Sequence, residues 1–358
     1  MTEERPFALL RHYWQAPKPD SHYGVFWPDK VFEAMFNARN GWSLGDYWQR
    51  CTFDLLRPVF TVFPWRVLRH AQAEQDDARG NVIRLARQQA AEDGDSLDGF
   101  AGVVAFVHAW PSDAGASGTN SRLDPGADSF EFFQHEIGHN LGFEHAFGPA
   151  GVYDDNYCVM GWTGPFAHSL ATPPDLADVV VPAGTQFWRS GRRPAAATLY
   201  RHLPAFAASA SVVRPKEGQE ITLTAPSEAR FGEPVLAVMP HAKGELSIEY
   251  RCGTGDDVGV PAGLVVHSHG IQTNPAGQKE VRPPWFEAAI PAVAGASQAV
   301  HGRDIQVTAV SCDGRTASVR VDRILDWDGV IDPDPTAIPF GDAPEKHFRV
   351  KLGRGDNQ

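Results

Sequence analysis

The pattern of apolar and polar positions gives the two halves of the chain different characters. In the first half, segments with helical spacing of apolar residues alternate with continuous apolar runs, which is typical of α/β domains. The clearest helix is predicted over Ala78–Asp93, and Phe100–Trp110 predicts a strand that is covered on both faces. Further predictions are a helix over Asp29–Asn40, a helical turn from Ser43 to Trp48, and a strand over Cys51–Phe63 that breaks at Pro58.

A further helix is predicted to begin at Asp128, where Asp128 and Glu131 resemble a capping box, and to end at Gly142. Beyond about residue 207 no long helical period occurs, and short β-rich segments follow one another with turn residues between most of them. Evenly spaced short strands predict a β-sandwich or a jelly-roll-like module. The predicted strands are Ile221–Ala225, Pro234–Met239, Leu246–Arg251, Gly263–His267, Trp285–Ile290, Ile305–Val310 and Ala317–Val321.

Length and charge restrict the classes of function. A chain of 358 residues corresponds to about two domains, and four cysteines are too few for a disulfide scaffold. Lys and Arg total 32 against 44 Asp and Glu, so the net charge of −12 argues against nucleic acid or an anionic membrane as the main partner. No apolar run approaches the roughly 20 residues that span a bilayer. We therefore expect a soluble, acidic, globular protein without a transmembrane segment.

The first residues do not resemble a signal peptide. Met1–Pro6 contains two acidic residues, and no basic stretch leads into an apolar run. Retention in the cell, export by a route that needs no such signal, and an added Met1 on a processed chain all remain open. The sequence leaves the oligomeric state open as well.

The stretch from His135 to His145 contains the most informative motif. On a helix, His135 and His139 lie one turn apart on nearly the same face, so both imidazoles can reach one ion at about 2.0–2.1 Å. Glu136 lies beside the first ligand and can hold a bound water, and Gly142 lets the chain turn so that His145 supplies a third nitrogen. Three neutral imidazoles leave one position of a tetrahedral zinc ion open, as in a catalytic site.

These residues resemble the metzincin metalloproteases, whose motif is His-Glu-x-x-His-x-x-Gly-x-x-His followed by a methionine-bearing turn. Asp155–Gly161 resembles that turn, with Met160 beneath the three imidazoles, and the local sequence is most similar to the gametolysin-like branch. The resemblance implies an α/β (α+β) catalytic domain with a mixed sheet and an active-site helix. We predict this domain over residues 1–206, a β-sandwich over 207–325, and a C-terminal arm over 326–358.

One position departs from the family pattern. Some metzincins have a tyrosine two residues after the methionine, where it can bind zinc or steady the tetrahedral intermediate, but this chain has Trp162 there. A tyrosine switch would therefore need Tyr153 or Tyr157 to approach from another direction. We predict instead that Trp162 shapes the pocket for the side chain that follows the cleaved bond.

The resemblance implies a zinc-dependent endopeptidase. Zinc would activate a water molecule, Glu136 would take its proton and pass it to the leaving amine, and the irregular segment after Trp110 would pair with an extended protein or peptide substrate. Two alternatives stay open. In one, the β-sandwich binds a glycan or a protein and the zinc domain is not catalytic; in the other, the protein is a zinc amidase that acts on a non-protein amide.

Several other residues have both a functional and a structural interpretation. Asp154, Asp155 and Asn156 have the oxygen ligands of a calcium site, although Asp-Asp-Asn is also ordinary turn chemistry, which we favour. His267 and His269 share one face of a predicted strand, but two histidines without a nearby carboxylate are seldom a second metal site.

The remaining histidines and cysteines have weaker signals. His108 is predicted as a satisfied buried histidine and His168 as a residue near the cleft, where contact with the substrate is one alternative. Cys252 and Cys312 fall near predicted strands, so a disulfide and two free thiols are about equally compatible with the sequence. Cys51 and Cys158 are predicted to be buried thiols, and a zinc-capping role for Cys51 is disfavoured.

Overall fold

The first sheet has six strands and is mixed, as predicted. The computed structural model describes residues 2–17, 27–71, 79–107, 115–179, 181–241, 244–273, 279–281, 283–300 and 305–323. The sheet has the order β2-β1-β4-β6-β5, with β3 also pairing with β1, and every pair is parallel except the antiparallel β5–β6 pair. Its strands are β1 (Glu3–Ala16), β2 (Leu56–Val62), β3 (Arg66–Ala71), β4 (Gly102–Val107), β5 (Gly115–Ser117) and β6 (Asn120–Leu123).

The central strand β1 was not predicted from the sequence. Its two faces pack into different cores: Phe7 and Leu9 belong to the largest hydrophobic cluster, whereas Ala8 and Leu10 pack with residues of the helix over Arg79–Glu92. A strand covered on both faces has no alternation of apolar and polar residues. The short apolar run of β1 therefore carries little periodic signal, although the strand lies between β2 and β4.

Within the described residues, six α-helices accompany this sheet and the segments that follow it. Ser43 caps α2 as predicted, because its Oγ accepts a hydrogen bond from the Asp46 amide at 3.1 Å. The helices are α1 (Asp29–Phe32), which continues as a π-helical turn over Glu33–Asn37, α2 (Leu44–Cys51), α3 (Arg79–Glu92), α4 (Phe130–Asn140), α5 (Ala196–His202) and α6 (Pro204–Ala207). Short 3₁₀ turns occur at Pro174–Leu176, Gly184–Phe187 and Gly255–Asp257.

Two local predictions were wrong. Cys51 ends α2 rather than starting a strand. The strand β2 continues through Pro58 instead of breaking there. An edge strand tolerates a proline because its outer side makes no ladder hydrogen bonds, and β2 lies at the edge of the sheet. The capping box at Asp128 is not formed. The helix α4 begins after Ser129, whose side chain makes no cap hydrogen bond, and the Glu131 carboxylate instead binds the buried guanidinium of Arg192.

In the described part of residues 147–323, the strands form two large sheets around a shared apolar core and a small separate sheet of two strands, His168–Ser169 and Arg189–Ser190. One sheet has the order β11-β13-β14-β15-β17-β7-β8 with β16 beside β15, and the other has the order β12-β20-β19-β18. The core between them contains Leu223, Ile248, Val266 and Val319, all fully buried. The strands are β7 (Phe147–Gly148), β8 (Gly151–Val152), β9 (His168–Ser169), β10 (Arg189–Ser190), β11 (Val212–Val213), β12 (Glu220–Thr224), β13 (Leu236–His241), β14 (Gly244–Arg251), β15 (Gly263–Thr273), β16 (Lys279–Val281), β17 (Trp285–Pro291), β18 (Ser297–Val300), β19 (Ile305–Cys312) and β20 (Thr316–Arg323).

Seven of these strands, β12, β13, β14, β15, β17, β19 and β20, overlap the seven segments that the sequence pattern predicts as β-rich, whereas the other, mostly shorter strands were not predicted. Residues Met1–Arg323 form one compact unit, and the largest core cluster extends from Phe7 to Val238. The division at residues 206 and 207 stays a prediction, and the arm over 326–358 lies outside the described residues. Among the helices that the structure describes, none has the length and apolarity needed to cross a bilayer.

Candidate metal centre and active site

The helix α4 holds the first half of the histidine motif against the core. Phe130, Phe133 and Ile137 are fully buried on its inner side, whereas His135 is 4% and Glu136 6% exposed. A helix of this kind is held by tertiary packing rather than by helix propensity. The two histidines one turn apart therefore have a rigid support.

At Gly138, which lies between His135 and His139, the side chains of Met160 and Trp48 come close to the backbone of α4. The sequence pattern did not reveal this contact. A Cβ atom at this position would overlap the sulfur of Met160 and would lie 2.7 Å from Cζ2 of Trp48. Met160 is fully buried. Its side chain therefore lies directly against the helix turn that bears the histidines, as the resemblance to a methionine-bearing turn implies.

Backbone carbonyls determine which ring nitrogens carry protons. His135 Nδ1 lies 2.8 Å from the carbonyl oxygen of Val159, and His139 Nδ1 lies 2.8 Å from that of Phe143. A carbonyl oxygen only accepts hydrogen bonds, so each Nδ1 must donate and each neutral ring keeps a lone pair on Nε2. The two Nε2 atoms lie 3.2 Å apart. Two lone pairs that converge in this way fit a shared cation.

His145 completes the set from outside the helix. Gly142 adopts a φ of +95°, and the amide of Phe143 donates to the carbonyl of Gly138 at 3.0 Å, so α4 ends as predicted and the chain reverses. The ring of His145 then lies 4.4 Å from that of His139 and 5.5 Å from that of His135, centroid to centroid. One ligand atom from each histidine lies within 4.8 Å of the other two, so the three can hold a metal ion.

The protonation of His135 also suits a ligand. Burial lowers its pKa well below the usual value for histidine, and the neighbouring His139 and His145 lower it further. A histidine binds a metal through the neutral imidazole. The environment of His135 therefore favours the state that metal binding requires.

Tyr153 is the tyrosine that the fold brings beside the three imidazoles. Its ring lies 4.3 Å from that of His145, and its backbone has a φ of +70°. Its amide donates to the carbonyl of Ala146, and its carbonyl accepts from the amide of Trp162, both at 2.8 Å. Tyr157 instead stacks on Phe286, with ring centroids 5.6 Å apart. Of the two tyrosines that the sequence left open, Tyr153 is placed next to the candidate ligands.

Trp162 lies at the rim of this region. Its side chain is 56% exposed, and its ring centroid lies 6.4 Å from that of Tyr153. His168 lies in β9 and is half-buried, which lowers its pKa. Substrate contacts of Trp162 and His168 stay predictions.

One comparison of the sequence with known protein families points to the same kind of site as the geometry. A family model described as Metallo-peptidase family M12B Reprolysin-like matches residues 66–159, which include His135, Glu136, His139 and His145. The match supports a metzincin-like zinc metalloprotease. It covers less than half of the chain, and it does not distinguish the gametolysin-like branch. No curated protein matches the chain.

The two carboxylates that the sequence offered as calcium ligands, Asp154 and Asp155, bind other partners in the structure. Asp154 Oδ2 accepts a hydrogen bond from the amide of Ala150, whereas Asp155 Oδ2 lies 2.9 Å from Nε2 of His267 and both of these side chains are buried. The acidic residues thus have separate partners, and a calcium site is not supported.

A second metal site at His267 and His269 is also not formed. His269 Nε2 lies 2.7 Å from the hydroxyl of Ser247, away from the Asp155 partner of His267. Within the described residues, His135, His139 and His145 are the one group of three or more potential ligands. His108 lies outside the described residues.

All four cysteines are free thiols in the structure. Cys51 and Cys158 are fully buried, as predicted, and burial raises the pKa of Cys51 to about 12 and that of Cys158 to about 11. Thiolate formation at Cys51 is therefore disfavoured, and a role as a zinc cap stays disfavoured with it.

No pattern in the sequence predicted the buried polar groups that hold the segment around Met160. Arg251, which is fully buried, donates to the carbonyl of Tyr157 at 2.6 Å and forms an ion pair with Asp257 at 2.6 Å. Arg192, also fully buried, donates to the carbonyl of Cys158 in the same segment at 2.6 Å. A single arginine at the end of a strand or in a loop has no characteristic spacing, so only the fold reveals these contacts.

Proposed function

We propose that this protein is a zinc-dependent endopeptidase. The observation that supports the proposal most strongly is the convergence of Nε2 of His135 and His139, with the ring of His145 beside them, next to Glu136 on the same helix. His135, His139 and His145 are the proposed zinc ligands. Three neutral imidazoles match the ligand set of a catalytic rather than a structural zinc site.

Glu136 is the proposed general base and acid. A bound zinc ion would polarise the scissile carbonyl and lower the pKa of a water molecule towards neutrality. Glu136 accepts a proton from the attacking water and then donates it to the leaving amine nitrogen. Because Glu136 is only 6% exposed, bulk water has little access to its carboxylate and does not compete for the proton that it transfers.

The substrate is a protein or peptide that binds in extended form. β5 forms the end of the six-stranded sheet, antiparallel to β6, so its outer edge can pair with an added strand. The exposed ring of Trp162 is the proposed wall of the pocket for the residue after the cleaved bond. Met160 supports the three imidazoles from within the core.

We further propose that the chain combines a catalytic domain over residues 1–206 with a β-sandwich over 207–325. The two sheets that share the core around Ile248 and Val319 support the sandwich. Assignment of the catalytic domain to the gametolysin-like branch rests on the local sequence around His135 and Met160.

The decisive experiment compares the wild-type protein with Glu136→Gln on casein and on a quenched peptide library. We expect the wild type to cleave peptides, a chelator to abolish cleavage, and added zinc to restore it. Glu136→Gln should retain equimolar zinc and lose at least about a hundredfold in rate, since general acid–base catalysis contributes on this scale. Full activity of Glu136→Gln would refute the assigned role. Zinc binding without peptide cleavage would favour a binding protein, and cleavage of only cell-wall material would favour an amidase.

A further inference from the structure

Arg192, a buried arginine, donates hydrogen bonds to several backbone carbonyls of the segment that contains Met160 and Trp162. Arg192 is fully buried, and its Nη2 atom donates to the carbonyl oxygens of Cys158 at 2.6 Å, Trp162 at 2.8 Å and Asp155 at 3.4 Å. Its Nη1 atom donates to the carbonyl oxygen of Pro165 at 3.0 Å. One planar guanidinium thus holds both ends and the middle of residues 155–165, which we call the Met160–Trp162 loop.

The same arginine ties this loop to the helix of the candidate zinc ligands. Nη1 of Arg192 also forms an ion pair with Oε1 of Glu131 at 2.7 Å, and Oε2 of Glu131 accepts a hydrogen bond from the amide of Gly164 at 2.7 Å. Glu131 lies on α4 one turn before His135. One carboxylate and one guanidinium thus connect the loop to α4, in addition to the contact of the Val159 carbonyl with His135.

The backbone of Arg192 is itself held in place. Its carbonyl accepts a hydrogen bond from the hydroxyl of Tyr47 at 2.5 Å, and the preceding amide of Gly191 donates to Oε1 of Gln134 at 2.7 Å. A Cβ atom on Gly191 would lie 2.8 Å from Cγ of Glu131, so glycine permits the close approach of this segment to α4. The guanidinium is thus presented from a rigid support.

We propose that Arg192 and Glu131 are positioning residues that set the place of Trp162 relative to the three histidines, and thereby the preference for the side chain after the cleaved bond. This inference rests on the proposed peptidase function. Trp162 is more than half exposed, so its ring has little packing of its own to fix it. Its position depends on its backbone, and that backbone is held by Arg192 on one side and by Tyr153 on the other.

The test measures specificity rather than activity alone. Two quenched peptides differ only in the residue after the scissile bond, leucine in one and glycine in the other, and kcat/KM is measured for each. We expect Arg192→Lys to lower the leucine-to-glycine ratio by about tenfold or more, because a shift of the pocket wall by about 1 Å misplaces the bulky substrate. Lysine keeps the charge but lacks the planar fork that reaches several acceptors. Zinc content should remain equimolar.

The adjacent Arg193→Lys is the matched control. Arg193 is 4% exposed and donates to the carbonyl oxygens of Arg50 and Cys51, outside the Met160–Trp162 loop. We expect it to leave the leucine-to-glycine ratio unchanged. An unchanged ratio in Arg192→Lys, or an equal change in Arg193→Lys, would overturn the proposal.

Two further variants keep the inference testable if Arg192→Lys does not fold. Glu131→Gln retains the size of the side chain but weakens the pairing with Arg192, so the ratio should move in the same direction. Trp162→Ala, at an exposed position, should lower the ratio directly, and adding Glu131→Gln to it should have no further effect on the ratio. Independent effects of the two changes would contradict the proposal. A wild type that cleaves neither peptide would instead refute the peptidase function itself.

Discussion

His135 and His139 show how backbone acceptors prepare a ligand set at the scale of single residues. The spacing of His135, Glu136, His139 and His145 was enough to predict their grouping, because helix geometry and a glycine turn are local properties. The carbonyls of Val159 and Phe143 that orient the first two rings were not predictable. The Val159 carbonyl comes from a segment 24 residues away, the Phe143 carbonyl comes from the turn after Gly142, and peptide carbonyls are present at every position of a sequence.

At Gly138 the absence of a side chain has a measurable consequence. Gly138→Ala introduces a methyl group that must displace Met160 or Trp48, and both are fully buried. Overpacking of this kind costs about 1–3 kcal/mol in the free energy of unfolding. We expect a lower Tm and weaker zinc binding, measured by thermal unfolding with and without a chelator.

Gly80→Ala is the matched control, since Gly80 lies in α3 with no atom within 4 Å of an added Cβ. That change should be neutral or slightly stabilising, because alanine has the higher helix propensity. Equal destabilisation by both changes would show that the contact with Met160 is not the cause.

At the scale of elements, the sequence predicted those with a strong period or a clear cap. Helix α3 and the cap of α2 at Ser43 are examples. The strand β1 was missed because both of its faces are buried and its apolar run is short. The hydrogen bond of Asp155 with His267 was missed because it joins the Met160–Trp162 loop to β15, which lies more than a hundred residues away in the chain. Neither residue alone has a local signature.

The Asp155–His267 pair predicts a strong effect on stability. Burial alone would raise the pKa of Asp155, but His267 and the amide of Tyr157 outweigh it and hold the pKa below its usual value. Asp155→Ala leaves His267 buried without this acceptor. Leaving a buried hydrogen-bonding group without its partner costs about 1–3 kcal/mol, which urea denaturation of the zinc-loaded protein can measure.

The neighbouring Asp154→Ala serves for comparison. Asp154 is only half-buried and accepts a hydrogen bond from the amide of Ala150, so its loss should cost about 1 kcal/mol. If Asp155→Ala is no more destabilising than Asp154→Ala, the pair with His267 does not hold the loop.

At the scale of the whole molecule, buried histidines determine the response to acid. His12 lies in β1 with 1% exposure, and burial lowers its pKa from about 6.5 to about 4. His269, in β15, is lowered to about 3 for the same reason. The unfolded chain therefore binds protons below pH 6.5 that the folded protein does not bind until pH 4 or lower. Stability must fall as the pH decreases through this range.

For His12 the loss between pH 7 and pH 4.5 should reach about 2–3 kcal/mol in the free energy of unfolding. The variant His12→Leu cannot take up this proton, so its stability should depend less on pH across the range. Urea denaturation of both proteins at a series of pH values measures the difference. Parallel pH profiles would show that His12 is protonated equally in the folded and unfolded states.

The most direct test of the central claim is X-ray absorption spectroscopy at the zinc edge of the purified, zinc-loaded protein. The account predicts equimolar zinc with three imidazole nitrogens and one or two further light atoms at about 2.0–2.1 Å. The variant His139→Ala should lose one imidazole contribution or the metal itself. A spectrum dominated by sulfur ligands, or zinc binding that His139→Ala leaves unchanged, would contradict the assignment of His135, His139 and His145.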